Sequence, residues 1–341
     1  MYRWAPILPV GALSLPIYAS HERRWPLMHA PRSLRRRRFN TEHLAFHLML
    51  LIPVVLLLIY HLLPIPAGIM MSFQKFQPLK GFFRSKFVGF DNFVRLFRMT
   101  DTIPAIRNSL IIAFYKIVFN LVVAVVFALL LNEIRHSWLK RAAQTITYLP
   151  YFLSWVILSG IFVRFLSPGS AATAPGLMNT ILIKLGLIDE PIYFLGSNET
   201  FRATIIITDV WKNFGYKSIV YLAALTDIDP TLYEAAEVDG AGRWKQTIHI
   251  TIPSIAPFIA LMTILSIGSI LSAGFDQIFN MYNPAVYATG DIIDTLTYRL
   301  GLENQQYSLS AAVGLMRSAV SCVLVLLSYK LADKYAGYRV W

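Results

Sequence analysis

Long apolar blocks separated by short polar stretches set the pattern of this chain. Residues 44–74 contain no Asp, Glu, Lys or Arg, and about 20 apolar residues in a helix are enough to cross the hydrocarbon of a bilayer. Blocks of this kind predict spans at 44–67, 109–132, 142–165, 254–276 and 309–331. A sixth block, 201–225, carries Asp209, Lys212 and Lys217 and is only marginally apolar. Reading it as a loop would leave a structureless stretch of untypical length. It is therefore predicted to cross while facing protein or water, because ionisable groups at that depth rarely face hydrocarbon. Lys116 inside the second span is expected to snorkel towards an interface, and Arg317 is the internal base of the last span. The pattern predicts an all-α polytopic membrane protein of about six transmembrane helices.

The polar stretches supply orientation. Residues 1–43 hold Arg3, Arg23, Arg24, Arg32 and the block Arg35, Arg36, Arg37 and Arg38 against Glu22 and Glu42. Arginines beside the first span hold that end in the cytoplasm, so both termini, 1–43 and the tail 336–341, are expected inside. The apolar run 5–20 is broken by Pro6, Pro9 and Pro16 and is not read as a cleaved signal. Arg135, Lys140 and Arg141 suit a cytoplasmic loop, and Asp189, Glu190 and Glu199 an external one. The 73–108 loop opposes the rule: Lys75, Lys80, Arg84, Lys86, Arg95, Arg98 and Arg107 face only Asp91 and Asp101, yet six spans place it outside. It is expected there against anionic headgroups or a partner protein. Between the fifth and sixth spans, 291–300 (DIIDTLTYRL) predicts a short amphipathic helix resting in the interface.

Composition agrees: 56% of the 341 residues are hydrophobic and 15% charged, with a net charge of +12. In such a chain basic clusters point to topology and anionic lipid rather than to nucleic acid. Cys322 is the single cysteine, so no disulfide joins two parts of the chain and a thiolate metal site is not expected. No phosphate-binding G-x-x-x-x-G-K-[ST] run and no H-E-x-x-H helix occurs. His43 and His47 are read as interfacial residues, and the N-x-T triplet 198–200 as chance. No spacing marks a nucleophile, so catalysis has no positive sign. Gly268 with Ser272, and Ser269 with Ala273, form small-residue steps that would suit helix pairing in span five, within this subunit or against another.

The most informative polar stretch is 234–253, EAAEVDGAGRWKQTIHITIP. Asp229 and Pro230 form a helix start, the first as a cap and the second as an N1 residue. Gly240 is placed to end that helix in the left-handed conformation. A second short helix over 242–250 follows, and Pro253 marks the approach to span five. On these grounds alone the stretch is either a solvated connector or a docking element.

This segment resembles the EAA motif of the membrane subunits of ATP-binding-cassette importers, with Glu234, Ala235, Ala236, Asp239, Gly240, Ile250 and Pro253 on the family's positions. Ile252 stands where that motif usually has Leu. Residues 65–97, 146–168 and 209–241 resemble the carbohydrate-uptake branch, the polysaccharide and aldouronate permeases, and the resemblance runs over roughly 44–335. It implies a type I importer permease domain, with 226–253 as a coupling loop whose helix seats in a cleft of a separate ATPase. It further implies a second permease subunit, two ATPase subunits that hold ATP and Mg, an extracytoplasmic solute-binding lipoprotein, and a place in a bacterial inner membrane. This chain itself would bind no cofactor. For a sugar path, span four offers Trp211, Asn213, Tyr216 and Tyr221. A permease for a non-carbohydrate solute, a polytopic membrane enzyme acting on lipid or cell-wall precursors, and a scaffold subunit remain the alternatives.

Overall fold

The computed structural model describes residues 41–268 and 270–336. The basic segment 1–40, Ser269 and most of the tail 336–341 lie outside these residues. The chain divides after Val55 into two units; in the first, the described residues 41–55 belong to helix α1 (Thr41–Leu57). Among the described residues, four helical stretches are long and apolar enough to cross a membrane: Phe46–Ser72, Thr102–Glu133, Arg243–Gly268 and Tyr307–Leu331.

In chain order, α2 (Pro64–Ser72) leads to a small hairpin of β1 (Gln74–Lys75) and β2 (Lys86–Phe87), with the short α3 (Gly81–Arg84) at its turn. The strands pair antiparallel, Gln74 opposite Phe87 and Lys75 opposite Lys86. Asn92 of α4 (Asp91–Arg98) donates its side-chain amide to the carbonyls of Ser72 and Gln74, at 2.8 and 2.9 Å, and fixes the hairpin. The long α5 (Thr102–Glu133) begins seven residues before the expected span. It is followed by α6 (Ser137–Phe152), α7 (Trp155–Phe165), α8 (Leu177–Lys184) and α9 (Phe201–Thr226).

α5 and α9 run side by side in the same direction. Asn108 meets Arg202, Lys116 meets Asp209, and the rings of Phe127 and Phe214 touch edge to face. Towards their C-terminal ends Ala124, Ala128 and Ala224 are buried with Tyr221, Leu225 and Ile255. Small side chains here let backbones approach closely, which matters where lipid removes the hydrophobic drive between helices. α9 has 26 residues, about 39 Å at 1.5 Å each, and its charges keep it out of the four stretches named above.

The expected span 142–165 is not one helix. α6 and α7 meet at an angle of 101°. Pro150 sits in the last turn of α6, Leu153 is extended, and Ser154 caps α7 by accepting the Ile157 amide at 3.3 Å. Carbonyls freed at such a break have no water to satisfy them in hydrocarbon. Lys212 of α9 does so: its buried amine donates to the carbonyls of Pro150 (3.4 Å), Tyr151 (3.0 Å) and Leu153.

The fifth span also departs from 254–276. After α10 (Pro230–Val238), α11 (Arg243–Gln246) runs through one π-helical turn (Thr247–Thr251) into α12 (Ile252–Gly268). The separate helix expected over 242–250 is thus the beginning of this span. α12 ends at Gly268, and the helix resumes only as α13 (Phe275–Met281). Ser272 and Ala273 lie in the break, so they present no helical small-residue face. A Cβ on Gly268 would lie 3.2 Å from Val325 of the last span, so that glycine packs within the subunit. Ser269 lies outside the described residues.

Beyond it, α14 (Tyr287–Gly290) and α15 (Ile293–Tyr298) precede α16 (Tyr307–Ala336). α15 is packed into protein rather than laid on the surface. Ile293, Thr295 and Leu296 are buried, packed with Leu96, Ala105, Leu271, Leu309 and Val313 in a core between α4, α5 and α16. Asn198, part of the triplet read as chance, stitches loops here by donating to the Ala285 carbonyl and accepting from Thr289.

Lys212→Met keeps the apolar stem and removes the donors at the α6–α7 break. It should destabilise the protein by roughly 1–3 kcal/mol, the range for leaving buried polar groups unpaired. The check is a lowered thermal unfolding midpoint of purified protein in detergent.

Candidate functional site

The helix pair α5–α9 and the broken fifth span line an open cavity of about 260 Å³, with apolar walls and a cluster of polar side chains. Asp209, Asn213, Lys217 and Tyr221 line it from α9, and Lys116 and Asn120 from α5. Thr263 and Ser266 of α12 and residues 272–274 of the break close it. The α9 residues recur every four positions, which places them on one helical face. Lys116 lies 14 residues from the start of α5, about 21 Å along its axis, so it does not snorkel to an end. It is buried against protein.

A hydrogen-bonded network explains that burial. Lys116 Nζ lies 3.3 Å from Asp209 Oδ1 and donates to the Ala273 carbonyl at 2.8 Å and to Gln277 Oε1. The other oxygen of Asp209 accepts from Asn120 Nδ2 at 2.9 Å. Gln277, fully buried, donates in turn to the Ile205 carbonyl and Thr208 Oγ1, both at 2.8 Å. A buried charge is tolerated only when paired and hydrogen-bonded, and this one is both. Gly274, at φ +94°, allows the break to approach: a Cβ there would lie 2.9 Å from Lys116 Nζ.

Of the four span-four residues picked from the sequence, Asn213 and Tyr221 line the cavity and Trp211 and Tyr216 do not. The Trp211 ring meets Phe162 edge to face, at 5.6 Å between centroids. Tyr216 stacks on Tyr151 at 3.8 Å, beside the α6–α7 break. Both rings are also partly exposed, at 46% and 40%. Lys116, Asn120, Asp209 and Lys217 were missed as a group, although their signal was present as charges spaced by helical turns within apolar spans.

At the end of the α5–α9 pair stands the 226–253 loop. Asp229 Oδ1 caps α10 by accepting the Thr231 amide at 2.9 Å, which holds its carboxyl below the usual carboxylate range. The helix ends as a Schellman motif: Ala241 N donates to Ala236 O at 2.8 Å, Gly240 N to Glu237 O at 3.1 Å, and Gly240 has φ +73°. Two side-chain contacts pin the loop: Tyr233 Oη with Thr251 Oγ1 at 2.9 Å, and the ion pair of Arg243 with Glu133 at the end of α5. No residue of α10 is buried. Glu234, Ala235 and Asp239 are exposed, with Leu232 (48%), Val238 (89%) and Trp244 (76%). Ile250 lies in the π turn and Pro253 in the first turn of α12.

Residues 120–335 match the family model described as binding-protein-dependent transport system inner membrane component, and the chain belongs to that family. It is a transport permease of the membrane, not an enzyme by family. It is similar to the polygalacturonan/rhamnogalacturonan transport system permease protein YteP of Bacillus subtilis (strain 168). The two are 38% identical over 296 residues, covering 86% of this chain and 89% of that one. A bacterial ABC transporter involved in the import of the acidic polysaccharide alginate contains a chain with a TM-score of 0.77 and 37% identity. That match covers 86% of this chain and 97% of the other. A chain of the alginate transporter in complex with an alginate pentasaccharide-bound periplasmic protein has the same TM-score and identity, over 88% and 98%.

Gly274→Ala tests the network. It places a Cβ at a left-handed position, costing about 1–2 kcal/mol, and pushes the Lys116 amine from its partners. The thermal midpoint should fall, whereas Gly314→Ala, inside α16 and with nothing within 4 Å of the added carbon, should not lower it.

Proposed function

We propose that the polar cavity is this subunit's share of a carbohydrate path, and that α10 couples it to a separate ATPase. The observation that carries the proposal is connectivity. α10 is flanked by α9 and by the continuous α11–α12 helix, and both helices wall the cavity. The exposed helix α10 is therefore joined, through helices, to both sides of the cavity. A push or pull on α10 reaches Lys217 and Tyr221 along α9 and Thr263 and Ser266 along α12.

The carbohydrate class is supported by the cavity's hydroxyl and amide groups, which suit a polyhydroxylated solute, and by the relatives named above. ATP and Mg belong to the partner ATPases in this reading, since the chain has no phosphate-binding run. A second permease completes the channel, and a solute-binding lipoprotein delivers substrate, as the periplasmic protein in the alginate transporter complex suggests by analogy. Residues 1–43, 135–141, 226–253 and 333–341 face the cytoplasm.

Two measurements test this. Glu234→Ala should leave the protein in the membrane and loosen ATPase co-purification, removing a charged contact worth roughly 2–5 kcal/mol where both partners are desolvated. Gly240→Val should be worse, because a β-branched residue at φ +73° misdirects the whole turn. If both variants retain the ATPase and full substrate-stimulated hydrolysis, α10 is only a connector. For topology, Lys184→Cys and Gly240→Cys, each in a Cys322→Ser background because the native thiol is exposed, should label from opposite sides. Labelling from one side removes α9 as a crossing.

A further inference from the structure

The β1–β2 hairpin and α4 carry six exposed bases, Lys75, Lys80, Arg84, Lys86, Arg95 and Arg98, against Asp91 alone. Asp91 stands one helical turn from Arg95, so the other five have no acid in their own segment. Among the described residues no ion pair joins any of the six to an acid. Two of them are also set against each other. Lys75 and Lys86 are directly opposite on the two-residue ladder, which puts both side chains on one face of it. Like charges in that position repel and weaken a strand pair. The surrounding structure holds them there nonetheless. Val88 N donates to the Phe73 carbonyl at 2.8 Å beside the ladder. Ser85 Oγ ties the turn, accepting from Gln77 N at 3.1 Å and donating to the Gly81 carbonyl at 2.7 Å.

Two ammonium groups side by side call for an anion, and their place in the fold decides which. Three apolar stretches have an end here: the first stops at Ser72, the second starts at Thr102 and the last at Tyr307. Each end is hydrogen-bonded to this surface. Asn92 donates to the Ser72 carbonyl, Thr102 Oγ1 to the Leu96 carbonyl at 2.6 Å, and Phe76 N to Ser308 Oγ at 2.8 Å. The ends of apolar spans lie at the headgroups of a bilayer. Leu79 and Phe83 are almost wholly exposed, next to Lys80 and Arg84, and Phe87, Phe90 and Phe97 are exposed as well. Bases beside bare apolar side chains suit a surface lying between headgroups and acyl chains. Water would answer only the charges, whereas an acidic lipid answers both. We infer that this face binds anionic phospholipid, with the headgroup phosphate between Lys75 and Lys86 and with Leu79 and Phe83 in the upper acyl chains. A zwitterionic headgroup brings its own ammonium to the two lysines, so the face selects lipids of net negative charge. This site is independent of the solute that the protein carries.

The test titrates the full chain, purified in detergent and washed free of lipid, with dioctanoyl phosphatidylglycerol or dioctanoyl phosphatidylcholine. Bound lipid is counted by native mass spectrometry. Wild type should bind phosphatidylglycerol more tightly than phosphatidylcholine. Lys75→Gln with Lys86→Gln should weaken phosphatidylglycerol about 25-fold, each base near an anionic surface being worth about five-fold, and leave phosphatidylcholine unchanged. Lys75→Arg with Lys86→Arg should keep the preference. Leu79→Ser with Phe83→Ser should weaken both lipids equally. Without lipid, the glutamine variant should unfold no earlier than wild type, since it loses a repulsive pair, and this separates lost binding from lost fold. Equal binding of the two lipids by wild type overturns the proposal. So does an anionic preference that survives intact in the glutamine variant, which places the lipid elsewhere on the protein. A lower unfolding midpoint for that variant without lipid overturns the clamp, because the lysines would then be holding the ladder. Unchanged binding by the serine variant overturns the placement of Leu79 and Phe83 in the acyl chains. If wild type prefers neither lipid while the glutamine variant loses its hold on the solute-binding protein, the face belongs to a protein and the lipid site falls.

Discussion

A helix that breaks inside a bilayer exposes carbonyls that no water can reach, and the rest of this structure depends on how they are satisfied. Two such breaks occur among the described residues, and a buried lysine amine serves each. Lys212 receives the α6–α7 break at Pro150, Tyr151 and Leu153. Lys116 receives the carbonyl of Ala273 at the break between α12 and α13. An ammonium suits this work because it brings three donors on a flexible stem. Its charge is then answered differently at the two sites. Asp209 neutralises Lys116 directly, whereas Lys212 lies among carbonyl dipoles and over the rings of Tyr151 and Trp155.

This arrangement makes α9 the organising helix. It carries Lys212 on one face, against α6 and α7, and the Asp209–Tyr221 stripe on another, against the cavity. A single helix thereby fixes a bent span and lines the cavity, with Lys212 serving the first role and Asp209 the second. The charges are not tolerated blemishes on an apolar span. They hold irregular backbone in a place where irregular backbone is possible only if it is buried in protein or lines a cavity.

The same economy explains the coupling loop. A helix with no buried residue has little reason to stay folded alone, since short isolated helices are marginal in water. α10 is instead held by its ends: Asp229 and Pro230 at the start, the Schellman turn at Gly240, and the Tyr233–Thr251 and Arg243–Glu133 contacts to the flanking spans. Its broad face stays open. Fixed ends and an open face let a partner act on α10 as a rigid handle rather than unfold it.

Much of this was determined by the sequence alone, because local signals act over one helical turn. The length of the apolar blocks dictated membrane helices, Asp229–Pro230 and Gly240 dictated where α10 begins and ends, and the motif at 234–253 pointed to the family. The helix over 201–225 was legible from its length, and its charges from the sequence. Only tertiary structure decided what those charges meet. Hydropathy places Lys116 at an interface or buries it equally well, and the partner that decides, Asp209, lies 93 positions away on another helix. Nor does a run of apolar residues disclose where it bends. The α6–α7 break carries local marks in Pro150 and Ser154, but a proline can also kink a span that continues. At the 101° break the backbone that the bend exposes is satisfied by a lysine from elsewhere in the chain.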